Sequence, residues 1–446
     1  MKPAAGERQA AGRLQGWKAI AGYLGVSQRT AQLWVKTRGL PVRRLPGGRG
    51  GVYAEPAELD AWMKSEDTAL RQARGERRHR RRQLLWASLA APVLLAGAAL
   101  AAWRLARAGA AVPESVMFQG NSLVANDREG RLLWRYRCDP PAEMPAAGLK
   151  PEHTHAVLAD LDADGKPEVF ASLGFFYFPA GSPEAMVSAQ IACWSHDGAL
   201  RWRHRPVPGV RDANGAAFTP HWEPAAMATG RVGGRDKVWI TLNHRERFPG
   251  VLAEVRPDGS LRELFANHGH VNSLAVVERD GHPAILAGGS TNALRGSFLA
   301  VIDPRAGFRK APDGGPPRYR FAQPAGGLPL EYYWIPPSDL TEASLSDVDK
   351  IHTIRSEPDG PVAVIWVGST QSCKVFIEMD RSGRPLRARI SAACELEHRR
   401  FERQGAIGHP FSKCPWFQRP LRMRRWSEDG RWEEVSLPMA TMQNTI

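Results

Sequence analysis

Hydrophobic and polar positions follow three different rhythms along this chain, and the changes of rhythm divide it. In residues 16–63, Trp17, Ile20, Ala21 and Leu24 recur at helical spacing and predict a short first helix ended by Gly25. Ser27 is placed to N-cap a second helix, with Ala31, Trp34 and Val35 as its buried stripe and Gln28, Arg29, Gln32 and Lys36 facing outward until Gly39. PVRRL and GVYAE flank the glycine-rich GGRG and predict a two-stranded hairpin. Pro56 then opens a last helix that closes the unit with Leu59 and Trp62.

The second rhythm is an absence of polarity. Residues 84–103, LLWASLAAPVLLAGAALAAW, carry no charge and would span roughly 30 Å as a helix, the depth of a bilayer's hydrocarbon layer. Trp86 and Trp103 stand near its ends and RRHRRR (residues 77–82) precedes it. The run therefore predicts one transmembrane helix in the cytoplasmic (inner) membrane, with the N-terminus inside and the C-terminal domain extracytoplasmic. A buried core helix is the other reading, though one seldom preceded by so dense a basic block. Pro92 is tolerable in a lipid-spanning context, and the length of chain before the run excludes a cleaved signal peptide.

From about residue 114 the pattern becomes short β-type runs broken by glycine turns. SLVANDREGRLLWRY, AQIACWSHDGALRWRHR, GVLAEVRPDGSLREL, KVFIEMDRSGRPLRARI and LRMRRWSEDGRWEEVSL each set an apolar strand before a turn centred on Gly130, Gly198, Gly259, Gly383 or Gly430 and a second strand after it. A second kind of hairpin lies between them, as in HAVLADLDADGKPEVFASL and NSLAVVERDGHPAILAGGS. Alternating hairpins predict four-stranded blades and hence an all-β propeller of roughly five to seven blades. Residues 311–340 read as a long inserted loop, and the final SLPMATMQNTI as a strand that closes the ring against residues 116–124. The expected fold is thus multidomain: a small α-helical winged helix-turn-helix (1–63), a basic linker (64–83), the transmembrane helix (84–103), a stalk (104–113) and the propeller (114–446).

Charge sharpens this division. Residues 1–83 hold 18 Lys/Arg against 7 Asp/Glu, a net of +11 out of +14 for the 446 residues, which leaves +3 for all that follows. Even without the five arginines of the RRHRRR block, the N-terminal piece keeps enough positive charge to favour a polyanion. The YLGVSQRTAQLW core, the following GLPVRR with its glycine-rich tip, and the terminal ELDAWM resemble the DNA-binding domain of the MerR and excisionase family. The resemblance implies DNA as partner, with Gln28, Arg29, Thr30 and Gln32 at base edges and Lys18, Lys36, Arg43, Arg44 and Arg49 at phosphates. The dimerisation coiled coil that follows in that family is missing, since residues 64–83 lack an apolar heptad. A homodimer would need another contact, for which Gly97 and Ala101 form a small-xxx-small pair.

All five cysteines (Cys138, Cys193, Cys373, Cys394, Cys414) follow residue 103, as expected beyond a membrane. Cys394 with Cys373 or with Cys414 is the pairing to test, three buried free thiols being an equal alternative. In the second-type hairpins, Asp160, Asp162 and Asp164 alternate before Gly165, and Glu168 stands at position nine; position twelve is Ala171, which excludes an EF-hand. The loop resembles the calcium loops of FG-GAP/VCBS-type propeller repeats, which implies a structural Ca2+ held by Asp160, Asp162, Asp164, Glu168 and the Lys166 carbonyl. His153, His155, His221, His268, His270 and His352 precede second-type hairpins and are expected to converge on one ligand pocket, for an extracytoplasmic ligand or partner not named by the sequence.

The function expected is that of a membrane-anchored, non-enzymatic transcriptional regulator with a sensing propeller. An adhesion or scaffold protein, whose N-terminal domain binds protein, is a second class. A propeller enzyme is a third, because the strand-turn-strand pattern around Trp134 and Trp202 resembles quinoprotein propellers. No nucleophile, paired acid/base or cofactor motif supports it.

Overall fold

A computed structural model describes residues 12–46, 51–68 and 112–440, apart from short stretches at 179–185, 247–248, 313–320, 323–325, 345–348, 369–371 and 428. The chain forms two compact units, Met1–Ala110 and Ala111–Ile446.

In the first unit, helix α1 (Trp17–Leu24) ends at Gly25, whose left-handed φ of 65° turns its N–H back onto the carbonyls of Ala21 and Gly22. Helix α2 (Gln28–Arg38) starts where Ser27 Oγ accepts the Thr30 N–H at 3.1 Å, and stops at Gly39 with φ 65°. A three-stranded sheet follows, in which Val52–Ala54 pairs with both Leu14–Gln15 and Arg43–Arg44. Helix α3 covers residues 56–68. Ile20, Ala21, Ala31, Leu40, Val52, Ala54 and Leu59 form the buried core. Trp62 locks α3 to α2: its ring meets Trp34 at 5.6 Å and its Nε1 donates to the Arg38 carbonyl at 2.8 Å.

The second unit is built of antiparallel hairpins. Gly130, Gly198, Gly259, Gly383 and Gly430 all have positive φ, and each turns one strand into its antiparallel neighbour. Among the described residues the strands fall into five sheets of three, five, five, six and four strands. Tryptophans stitch neighbouring sheets together. Trp134 Nε1 donates to the His196 carbonyl at 2.9 Å and Trp202 Nε1 to the Pro257 carbonyl at 2.8 Å, so an indole from one sheet lies on the glycine turn of the next. The leading strands of successive sheets (His155–Ala159, Trp222–Val232, Val271–Arg279 and Lys350–Glu357) pack side by side. A disulfide, Cys373–Cys394, ties helix α5 (Ala393–Arg403) to the four-stranded sheet that Lys350–Glu357 leads; Cys138, Cys193 and Cys414 are buried thiols.

Two expectations need correction. The first is the closed propeller of five to seven blades. The C-terminal strand Trp432–Leu437 pairs with Leu421–Trp426, and Met439 bridges to Ala388, while Ser115–Gln119 stays in its own three-stranded sheet. No pairing among the described residues closes a ring. The cause is local: within the predicted loop, Glu331–Ile335 (EYYWI) buries Tyr332, Tyr333 and Ile335 and forms a strand between Ser297–Ile302 and Leu421–Trp426. That insertion captures the last hairpin in a six-stranded sheet.

The second correction concerns the membrane. No helix among the described residues is long and apolar enough to cross one. The described part of α3, residues 56–68, would reach only about 20 Å. The run 84–103, residues 69–83 of its flanking linker, residues 104–111 of the stalk, and the Gly97/Ala101 pair lie outside the described residues. The transmembrane helix, the inner-membrane localisation and the extracytoplasmic placement of the second unit are therefore unsupported.

Candidate functional site

The N-terminal unit exposes one face of α2. Gln28, Arg29, Gln32 and Lys36 are all solvent-exposed, and Leu33 joins them at 55% exposure. At 100° per residue these five share one arc, opposite Ala31 and Trp34. Thr30 is not part of it: it is half-buried, its N–H is capped by Ser27, and its Oγ1 lies 2.7 Å from Ser27 Oγ. Lys18 and Arg44 are exposed, whereas Arg43 is already paired with Glu58 at 2.5 Å. Arg49 lies outside the described residues. Leu33 escaped sequence reasoning; its signal is an apolar residue off the buried stripe.

In the second unit, the ends of the leading strands enclose a cavity of about 860 Å³. His153, His155, His270 and His352 line it, together with Lys150, Lys350, Glu152, Glu223, Asn272 and Trp366. Three of the leading strands carry a β-bulge here, and the skipped residues, Ala225, Asn272 and His352, all face the cavity. A bulge turns its extra residue out of the ladder, which is how two of these strands present the polar Asn272 and His352 at this place. His153 Nδ1 faces the Pro224 carbonyl at 2.9 Å, and His352 stacks on Trp366 at 3.3 Å. His221 and His268 lie elsewhere. His221 pairs with Glu246 at 2.5 Å, and His268 is buried against Phe321.

Burial depresses His155 and His352 below the usual histidine range and takes His270 to about 4. The folded unit thus refuses protons that the unfolded chain accepts between roughly pH 6.5 and 4. Stability present in full above that window should drain away as pH falls through it, by on the order of 3 kcal/mol for His270 alone. Urea midpoints measured from pH 7 to 4 should fall steeply for the wild type and less steeply for His270→Asn. Equal slopes would show that His270 does not titrate in this way.

At the acidic loop, Asp160, Asp162 and Glu168 each place a carboxylate oxygen within 4.8 Å of the others. Asp164 stands outside this group, accepting the Lys166 N–H at 2.8 Å. Asp160 accepts the N–H groups of Asp164 and Gly165, which shapes the turn, and Ala163 takes a left-handed φ of 62°. All-oxygen donors of this kind suit Ca2+. Yet Arg201 already sits against them, 3.3 Å from Asp162 and 2.8 Å from Glu168, and supplies positive charge where a cation would. Burial raises the Glu168 carboxyl above the usual range.

A fourth constellation is one that sequence reasoning passed over. Asp339, His398, His409 and Cys414 converge, with donor atoms within 4.8 Å of one another. Their spacing matches no common ligand pattern, and Cys414 enters the sequence reading only as a disulfide candidate. The signal in the chain is His398 with Glu402 one helical turn later, followed by His409 and Cys414.

No protein-family model matches this chain, and no curated protein matches it.

Proposed function

We propose that this chain is a DNA-binding regulator: α2 of its first unit reads the major groove, and the histidine-rich cavity of its second unit takes a small polar ligand. The observation that carries the first half is the exposed arc of Gln28, Arg29, Gln32, Leu33 and Lys36 on a helix held from behind by the core. Arg and Gln can bond bidentately to guanine and adenine, Leu can meet a thymine methyl, and Lys can meet phosphate. An 11-residue helix is about 16 Å long, enough to lie in a groove about 12 Å wide. The +11 net charge of residues 1–83 supplies the sequence-independent attraction.

The second half rests on the cavity's lining, where two lysines and four histidines meet two glutamates at the convergence of four strands. A ligand there would favour one arrangement of the bulged strand ends.

The test is fluorescence anisotropy of the full chain with labelled duplex DNA across salt concentrations. The reading expects affinity to fall linearly with salt on logarithmic axes, with a slope set by the phosphates contacted. Absence of salt-dependent binding would favour the scaffold class, in which the same arc docks on protein.

A further inference from the structure

We propose that Asp339, His398, His409 and Cys414 bind a single zinc ion as a closed, structural site. Asp339 opens helix α4 (Asp339–Ser344), His398 lies within α5, His409 is in the loop after it, and Cys414 follows the short turn Phe411–Lys413. Asp339 Oδ2 is 3.1 Å from His409 Nε2 and 3.0 Å from Cys414 Sγ. A tetrahedral zinc with bonds of about 2.0–2.3 Å sets its ligand atoms roughly 3.3–3.6 Å apart, so the observed separations are of the right scale.

Two features separate this group from a chance meeting of polar residues. His398 is fully buried, yet its Nε2 has no hydrogen-bond partner, and the Nε2 of His409 makes no hydrogen bond either despite its closeness to Asp339. An orphaned imidazole nitrogen is costly in a wall built from Phe411 and Phe417, and a metal removes that cost. The other nitrogen of His398 is fixed: Nδ1 lies 2.6 Å from Glu402 Oε1, which also accepts the Phe411 N–H at 2.6 Å. A carboxylate holding Nδ1–H leaves Nε2 as the lone-pair donor, the arrangement in which histidines ligate zinc.

The donor types select the ion. A thiolate and two imidazoles disfavour Ca2+ and Mg2+, and with one carboxylate they form a borderline-soft set of four that leaves no position open for substrate. Thiolate and carboxylate together neutralise the divalent charge. The ion would pin α4, α5 and residues 409–414 to one another, α5 being already anchored by the Cys373–Cys394 disulfide.

The full-length protein, produced with added zinc and dialysed without chelator, should carry about one zinc per chain by mass spectrometry. Replacement by Co2+ should give the visible bands of tetrahedral cobalt and a thiolate-to-cobalt charge-transfer band. Cys414→Ser should lose the charge-transfer band, His398→Gln should lower the zinc content several-fold, and His270→Ala, altered in the cavity, should keep it. Wild-type protein without stoichiometric zinc, whose Cys414 is alkylated equally fast with and without Zn2+, overturns the proposal. So does zinc that survives His398→Gln but not His270→Ala.

Discussion

Gly289→Ala is expected to destabilise the second unit by about 3 kcal/mol or more, read as a lower urea midpoint at unchanged slope. Gly289 is buried in the strand His282–Ser290, where it pairs with Val271. A Cβ there would sit 1.9 Å from the His270 carbonyl oxygen and 3.0 Å from the Phe298 ring. The carbonyl cannot swing aside cheaply, because it accepts the Ser290 N–H at 3.0 Å beside the bulge at Asn272. The methyl must therefore push the paired strands away from each other at the cavity wall. Gly307→Ala, where a Cβ meets nothing, is the matched control and should change stability by less than about 1 kcal/mol. Equal stability of the two variants would mean that the strands do not approach as described.

Arg29→Ala should cost about 1–3 kcal/mol of binding to the preferred duplex, a loss of roughly 5- to 150-fold, with a far smaller effect on unrelated DNA. Arg29 is exposed at the centre of the α2 arc and makes no ion pair among the described residues. Lys36→Ala should behave differently, weakening all sequences alike and lowering the salt slope by about one. If both variants lose affinity uniformly, α2 touches only the phosphate backbone. Because neither side chain contributes to the unit's core, the changes in binding should occur without loss of helix content.

Local structure was readable wherever one residue's chemistry decides it. Ser27 caps because its hydroxyl reaches a free N–H, and Gly25, Gly39 and the five hairpin glycines adopt positive φ that other residues avoid. His153, His155 and His270 open or precede leading strands and His352 stands at the bulge near the start of its own, and the four line one cavity. His221 and His268 share that position in sequence but not in space, because Glu246 and Phe321, distant in the chain, engage them instead. The strand Glu331–Ile335 was hidden by the glycines and prolines around it, and with it the six-stranded sheet that prevents a ring of equal blades. Asp339 and Cys414 stand 75 residues apart, a meeting that only tertiary packing creates. The charge-free run 84–103 was read from composition alone, and no described helix supports a membrane crossing.

The central claim, that α2 reads DNA sequence, is tested most directly by selecting binding sites for the full chain from a random duplex library, with Arg29→Ala and Gln32→Ala in parallel. The account predicts one enriched motif for the wild type, with relaxed preference at separate base positions in each variant. Recovery of no enriched sequence by the wild type, or of the same motif by all three proteins, would contradict it.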